Sequence, residues 1–319
     1  LFQVFKVDRN YQNLNFLYSR AISADIKNYT RHLSDSLNTV KVGRLNVNVN
    51  RGRIYMDSVQ LLPKYSKELF ATNYGKQIDR IEVFNQNSSI ENFRFKDWLY
   101  NGNYHADELR LNRTVVSVFT DKTLDEEKAK VKLMPQQVLR ELPIKLKIDT
   151  TFINNWSISY EEKVTDQMAP GIIYFKDFNG EIANVSNMAP NNGDTIRVKI
   201  KTGLMENGKV NAEMDIPLNN EDDEFTFNGD MNGMDMREIN PLLMSLTRIE
   251  IERGKTYGMQ FDGAANKYYA RGTVDLRYSD LKVNLLDETG NDGRFIDKVL
   301  KVIANNFIIK NSNRLFPKT

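Results

Sequence analysis

Strict two-residue alternation across Asp194–Met231 constrains this chain more than any other feature. The segment reads DTIRVKIKTGLMENGKVNAEMDIPLNNEDDEFTFNGDM. Ile196, Val198 and Ile200, then Val210, Ala212, Met214, Ile216 and Leu218, all fall on even positions, the period of strands with one buried face. Glu206-Asn207-Gly208 lies between the two runs. A two-residue Asn-Gly loop would set the apolar sets on opposite faces. A three-residue loop with Gly208 left-handed puts Leu204 opposite Val210 and keeps them together. That register also sets Lys201 against Glu213 and Lys199 against Asp215, pairs that contribute roughly 0.2–1 kcal/mol each. The expected fold is mainly β with a few helices: an elongated, strongly twisted antiparallel sheet, or sheets, forming a groove or half-barrel.

The rest of the chain extends this pattern. In Val42–Leu62, Leu45, Val47 and Val49 alternate with Asn46, Asn48 and Asn50. Arg51-Gly52 marks a turn and Pro63 ends the return strand. Ile78–Phe84, Ser89–Phe95 and Asp107–Thr120 read as strands, Leu146–Tyr160 as one or two, and Gly171–Val185 as a pair. Glu224–Gly229 follows, with Phe225 and Phe227 expected to face Leu218 and Ile216. In Arg271–Leu285 the apolar parity switches from Val274, Leu276 and Tyr278 to Leu281, Val283 and Leu285. The switch predicts a β-bulge at Ser279-Asp280, with a chain reversal as the alternative. Helical spacing predicts an amphipathic helix over Tyr11–Leu37 and another over Phe295–Phe307. Tyr65–Gly75 reads as helix or loop, and short helices are expected at Pro135–Leu142 and from Asp235 to Met244. Charged Leu124–Lys132 marks the expected boundary between an N-terminal β-rich half with an amphipathic helix (1–134) and a C-terminal sheet half with covering helices (135–319). A faint echo links Tyr104–Val118 to Leu146–Tyr160: Asp107 matches Asp149, and Asn112 matches Asn154.

The residues name no reaction. With 44 basic and 42 acidic side chains the net charge is +2, so nucleic acid is not an expected partner. There is no cysteine. The two histidines, His32 and His105, lie far apart, and no His-based zinc site is expected. Glu221-Asp222-Asp223-Glu224 reads as a solvated turn and Asp287–Gly293 as a plain loop. The adjacent Glu161 and Glu162 point to opposite faces of a strand. No catalytic residue, metal ligand or cofactor is therefore expected. What remains is an apolar sheet face, represented by Ile196, Val198, Ile200, Val210, Met214, Ile216, Val274, Leu276, Leu281 and Val283. It is the candidate surface for a lipid acyl chain, the alternative being an ordinary core filled by the short helices. No apolar run reaches the ~20 residues of a membrane span. The chain begins at Leu1 rather than Met, as an excised or mature fragment would, so a targeting signal or anchor could have been removed.

The succession PQQVLRELPIKLKID, YEEK, IYFKDFNGEIANVSN, DIPLNNEDDEFTFNGDM, INPLL and ARGTVDLRYSDLKVNLL resembles AsmA-like envelope proteins, and most of all their Bacteroidetes branch of unknown function. The resemblance spans roughly Val42 to Phe307 and rests on the order of segments rather than one motif. It implies a non-enzymatic, periplasm-facing protein held to the inner membrane by an N-terminal helix. It also implies kinship with repeating-β-groove proteins that move or organise lipids for outer-membrane homeostasis. Lipid acyl chains and an envelope protein are the partners it implies. This chain is much shorter than the bridging members, so bulk transport across an envelope is not expected of it alone. The alternative is a structural or assembly module of the envelope with a protein partner at a sheet edge.

Overall fold

The computed structural model describes residues 3–4, 21–125, 133–188, 193–220 and 222–285. Thirteen strands form one open, twisted sheet whose spatial order is the order of the chain. The strands are β1 (Gln3–Val4), β2 (Ser23–His32), β3 (Asn38–Asn48), β4 (Arg53–Pro63), β5 (Arg80–Glu91), β6 (Asn103–Asp121) and β7 (Lys145–Lys163). They continue with β8 (Gly171–Ser186), β9 (Thr195–Leu204), β10 (Gly208–Pro217), β11 (Phe225–Asn232), β12 (Ile249–Ala265) and β13 (Ala270–Leu285). Neighbours are antiparallel except β6 and β7, which run parallel, so the sheet is mixed. The expected junction after residue 134 lies in the crossover between those two strands. At 19 residues each, β6 and β7 extend for about 60 Å at the usual rise per residue.

Four helices, α1 (Lys67–Tyr74), α2 (Phe95–Asn101), α3 (Pro135–Glu141) and α4 (Asn240–Thr247), lie among the described residues. Gly75 and Gly102 end α1 and α2 in the left-handed conformation, at φ 84° and 72°. Pro135 opens α3, and Gln137 Oε1 accepts from the Met134 amide at 2.9 Å. Asp235 caps the 3₁₀ turn Met236–Ile239, accepting from Arg237 N, and α4 follows directly. Glu238 does not reach back to complete a capping box. It accepts from the Glu206 and Asn207 amides in the β9–β10 turn.

A crease crosses the sheet at mid-strand. Asn28, Ser58, Arg113, Asn155 and Asp177 have φ between 47° and 56° and sit inside β2, β4, β6, β7 and β8. The pairing aligns them: Asn28 lies across from Gly43, Gly43 from Ser58, Ser58 from Gln86 and Gln86 from Arg113. Asn155 and Asp177 continue the line through register shifts. A left-handed residue turns the strand over, so apolar side chains step by three to stay on one face. The steps are Ile26 to Tyr29, Met56 to Val59, Ile153 to Trp156 and Phe175 to Phe178, and Val42 to Leu45 on β3 matches them across Gly43. Side-chain amides bind the crease together. Asn112 Nδ2 donates to Asn87 Oδ1 at 2.9 Å, and Asn154 Nδ2 donates to Asn112 Oδ1 at 2.8 Å. The echo between Tyr104–Val118 and Leu146–Tyr160 is therefore spatial, because Asn112 and Asn154 are direct neighbours on the two parallel strands.

The crease corrects several readings. Ser23–His32 is a strand, not part of a Tyr11–Leu37 helix: the three-residue step at Asn28 imitates helical spacing. Residues 11–20 of that helix lie outside the described residues, as do the Phe295–Phe307 helix and the Asp287–Gly293 loop. Ile78–Phe84 and Ser89–Phe95 merge into one strand, β5, except that Phe95 opens α2. Leu146–Tyr160 and Gly171–Val185 are each one strand, β7 and β8, because their Asn- and Asp-rich middles are bulges rather than turns. The predicted bulge at Ser279-Asp280 is present: Asp280 has φ 52°, and the register shifts across from it between Arg253 and Lys255.

The β9–β10 hairpin keeps its apolar sets together, but in a register two residues from the expected one. Leu204 pairs with Gly208, Ile200 with Ala212 and Ile196 with Ile216. Met205, at φ 53°, takes the left-handed position assigned to Gly208. Gly208 is required for closeness instead, since a Cβ there would meet Leu204 O at 2.8 Å and Met234 Sδ at 3.1 Å. Lys199 consequently faces Glu213 at 3.9 Å, an exposed pair of little energetic weight. Phe227 pairs with Met214 rather than Ile216.

Candidate functional site

Pairing carries one apolar face across the C-terminal strands. Val198, Met214, Phe227 and Gly263 form one row, and Ile200, Ala212, Gly229, Phe261 and Val274 form the next. The intervening residues of β9, β10 and β11, such as Lys199, Glu213 and Asn228, are exposed on the other side. Glycine and phenylalanine alternate within these rows. The Phe261 ring lies over Gly229 and the Phe227 ring over Gly263, where added Cβ atoms would come within 2.4 and 2.6 Å of the ring tips. The rings of Phe225, Phe227 and Phe261 succeed one another at centroid spacings of 6.2 and 6.4 Å. Phenylalanine at these positions was legible in the sequence; the glycine beneath each ring was not, because only register brings the two together.

Helices occupy the two ends of this face. At one end Leu139 of α3 packs into a buried cluster with Ile196, Ile216 and Leu218, joined by Leu146, Ile182, Val185, Val198, Met214 and Phe225. Buried Asp223 anchors α3: its carboxylate accepts from Gln137 Nε2 at 2.8 Å and Arg140 at 2.5 Å, while its backbone oxygen accepts from Gln136 Nε2. Asp223 is thus not part of a solvated turn, since α3 covers it. At the other end α4 presses on Gly171, where an added Cβ would meet Ser245 Cβ at 3.1 Å. Met236 and Leu281 both crowd Gly254 there, and Ile251 is buried.

The ten candidate groove residues divide accordingly. Ile196 and Ile216 belong to the core beneath α3. Leu281 and Val283 sit at the α4 end, Val283 paired with buried Ile251. Val198, Ile200, Val210, Met214 and Leu276 are half-buried on the stretch between, and Val274 is 67% exposed on the last strand. A separate depression of about 430 Å³ opens on the opposite face. Its walls are the outward side chains Phe152, Glu181, Lys199 and Glu213 on one side and Asn154, Asn179, Lys201 and Asp230 on the other.

Charged groups concentrate at the far end of the parallel junction. Lys67 binds Glu161 and Lys122 binds Glu162, at 2.7 and 2.8 Å. Glu161 and Glu162 thus diverge as their adjacency predicts. The Tyr160 hydroxyl donates to Glu162, and burial together with that carboxylate pushes the phenol up to about 12. Every member of this cluster has a partner of opposite charge or a hydrogen-bond acceptor, the pattern of an internal staple rather than a reactive group.

Fold and site together define the class: a mainly β protein built on an open, mixed, creased sheet with one apolar face closed at both ends by short helices. No protein-family model matches the chain, and no curated protein matches it.

Proposed function

We propose that this chain is a non-enzymatic, AsmA-like, periplasm-facing envelope protein, held to the inner membrane by an anchor outside this sequence, that binds or shields lipid acyl chains on its apolar sheet face for outer-membrane homeostasis. One observation carries the reading: between α3 and α4 the face offers half-buried Val198, Ile200, Met214, Met259 and Phe261, leading to exposed Val274. Apolar surface left in water costs about 25 cal/mol per Å², so covering these residues with an acyl chain would be favourable. The residues named are all apolar and carry no charge, the chemistry an acyl chain would meet.

The test is native mass spectrometry of the chain purified from a bacterial envelope, paired with transfer of a fluorescent phospholipid from vesicles. Bound phospholipid, lost on Ile200→Glu, is the expected result. Wild-type protein that carries no lipid and captures none from vesicles would overturn the reading in favour of an envelope assembly module.

A further inference from the structure

A second, unrelated cluster lies where β6 and β7 begin. His105 and Asp107 are two residues apart on β6 and so share a side of the strand. Asp149 stands beside Asp107 on β7, because Ala106 pairs with Ile148 and Glu108 with Thr150. One ligand atom from each of His105, Asp107 and Asp149 lies within 4.8 Å of the other two. No other group of three such ligands occurs among the described residues. His105 is only 7% exposed, yet its Nε2 has no hydrogen-bond partner. A buried imidazole nitrogen left unpaired costs about 1–3 kcal/mol, so something is expected to satisfy it.

The carboxylates are held weakly by protein cations. Arg94 stands 3.9 Å from Asp107 and Lys147 3.6 Å from Asp149, pairs about half exposed and of little weight. Asn92 Nδ2 donates to Asp107 Oδ2 at 3.0 Å and orients that carboxylate, whose Oδ1 has the Arg94 guanidinium beside it only at 3.9 Å. Burial, with Arg94 and Lys147 nearby, pushes the His105 imidazole below its ordinary range.

We propose that His105, Asp107 and Asp149 bind one divalent transition-metal cation of the zinc class, with solvent completing the coordination. One imidazole and two carboxylates suit such a borderline ion. Tetrahedral coordination at 2.0–2.2 Å brings ligand atoms to about 3.4 Å from one another. Binding would draw the three ligand atoms together from their present spread of up to 4.8 Å. The ion would clasp β6 to β7 at the one parallel junction among the described strands, where pairing is slightly weaker per residue. This role does not depend on lipid binding.

The experiment is titration of the full chain with Zn²⁺ against a chromophoric chelator, with Co²⁺ absorption as a second readout of coordination. One ion per chain is expected. Asp149→Asn, a change at an exposed carboxylate, should weaken binding at least tenfold, and His105→Gln should do the same. His32→Gln, at the other histidine, should leave binding unchanged. Zn²⁺ should raise the melting temperature of wild type but not of Asp149→Asn. Absence of saturable binding, or binding that survives both Asp107→Asn and Asp149→Asn, would overturn the site.

Discussion

The seven strands β2–β8 and the three strands β9–β11 belong to one sheet but hold their apolar face by different means. In β9–β11 no strand residue has a positive φ, alternation is unbroken, and each side chain takes its side from the period of two. In β2–β8 left-handed residues on five of the seven strands, β2, β4, β6, β7 and β8, turn them over midway, and the sequence compensates with a three-residue step. The straight region is specified by packing, in particular by phenylalanine set over glycine. The creased region is specified by backbone conformation, in particular by asparagine and aspartate, which tolerate the left-handed region best after glycine. One face stays apolar throughout because the two devices meet at β9, where buried Thr202 donates to Lys176 O beside the last bulge.

The comparison predicts opposite sensitivities. The largest effect belongs to the straight region. In Gly229→Val the added Cβ would sit 2.4 Å from both Asn211 O and the Phe261 ring, a clash with backbone as well as side chain. We expect a loss of about 3 kcal/mol or more in urea denaturation. The smaller Gly229→Ala should lose less when combined with Phe261→Ala than the sum of the two single changes, since the ring is half of the clash. A Gly229→Val protein as stable as wild type would break the packing account.

In the creased region the sensitive quantity is φ. Asn155→Val forces a β-branched residue to φ 53° and should cost about 1–2 kcal/mol, while Asn155→Gly should stay within about 0.5 kcal/mol of wild type. Asn211→Val makes the same chemical change on the exposed face of β10, at ordinary strand dihedrals, and should likewise stay within about 0.5 kcal/mol. Equal losses at Asn155 and Asn211 would mean that the crease is not held by its left-handed residues.

The same contrast explains what the sequence disclosed. Sheet, sidedness and the bulge at Asp280 were legible because Val274, Leu276, Tyr278, Leu281 and Val283 record a parity switch with regular runs on each side. The Asn28 switch was misread because Ile22, Ile26, Tyr29 and Leu33 fall at helical steps once a strand is turned over at its centre. Leu146–Tyr160 was open to division into two strands and Gly171–Val185 read as a pair, since the Asn and Asp that favour a turn also favour a mid-strand left-handed position. The hairpin register missed by two because parity fixes a face and not a pairing. The cluster at His105 left only a trace, the matched Asp107 and Asp149. Placing them side by side needed the parallel pairing of β6 with β7, which alternation does not reveal.

The smallest effect is on proton binding, and it separates the parallel junction from the β9–β10 turn by cause. Tyr160, on β7, and Tyr174, on β8 beside the β9–β10 turn, are both pushed up to about 12. For Tyr160 burial is the leading cause and Glu162 the next; for Tyr174 the leading cause is the hydrogen bond to Glu206. A phenol whose folded value is raised holds its proton more tightly than the unfolded chain does. Its stabilising contribution is therefore complete below about pH 10 and is lost as pH climbs from about 10 through about 12. Followed by phenolate absorbance, Glu206→Ala should return one tyrosine toward its ordinary range, because the remaining burial of Tyr174 is slight. Glu162→Gln should leave Tyr160 titrating well above that range, because the buried strand still disfavours the phenolate. If both substitutions released their tyrosines equally, burial would not be what sets Tyr160 apart, and the interior of the parallel junction would have to be as open to water as the hairpin turn.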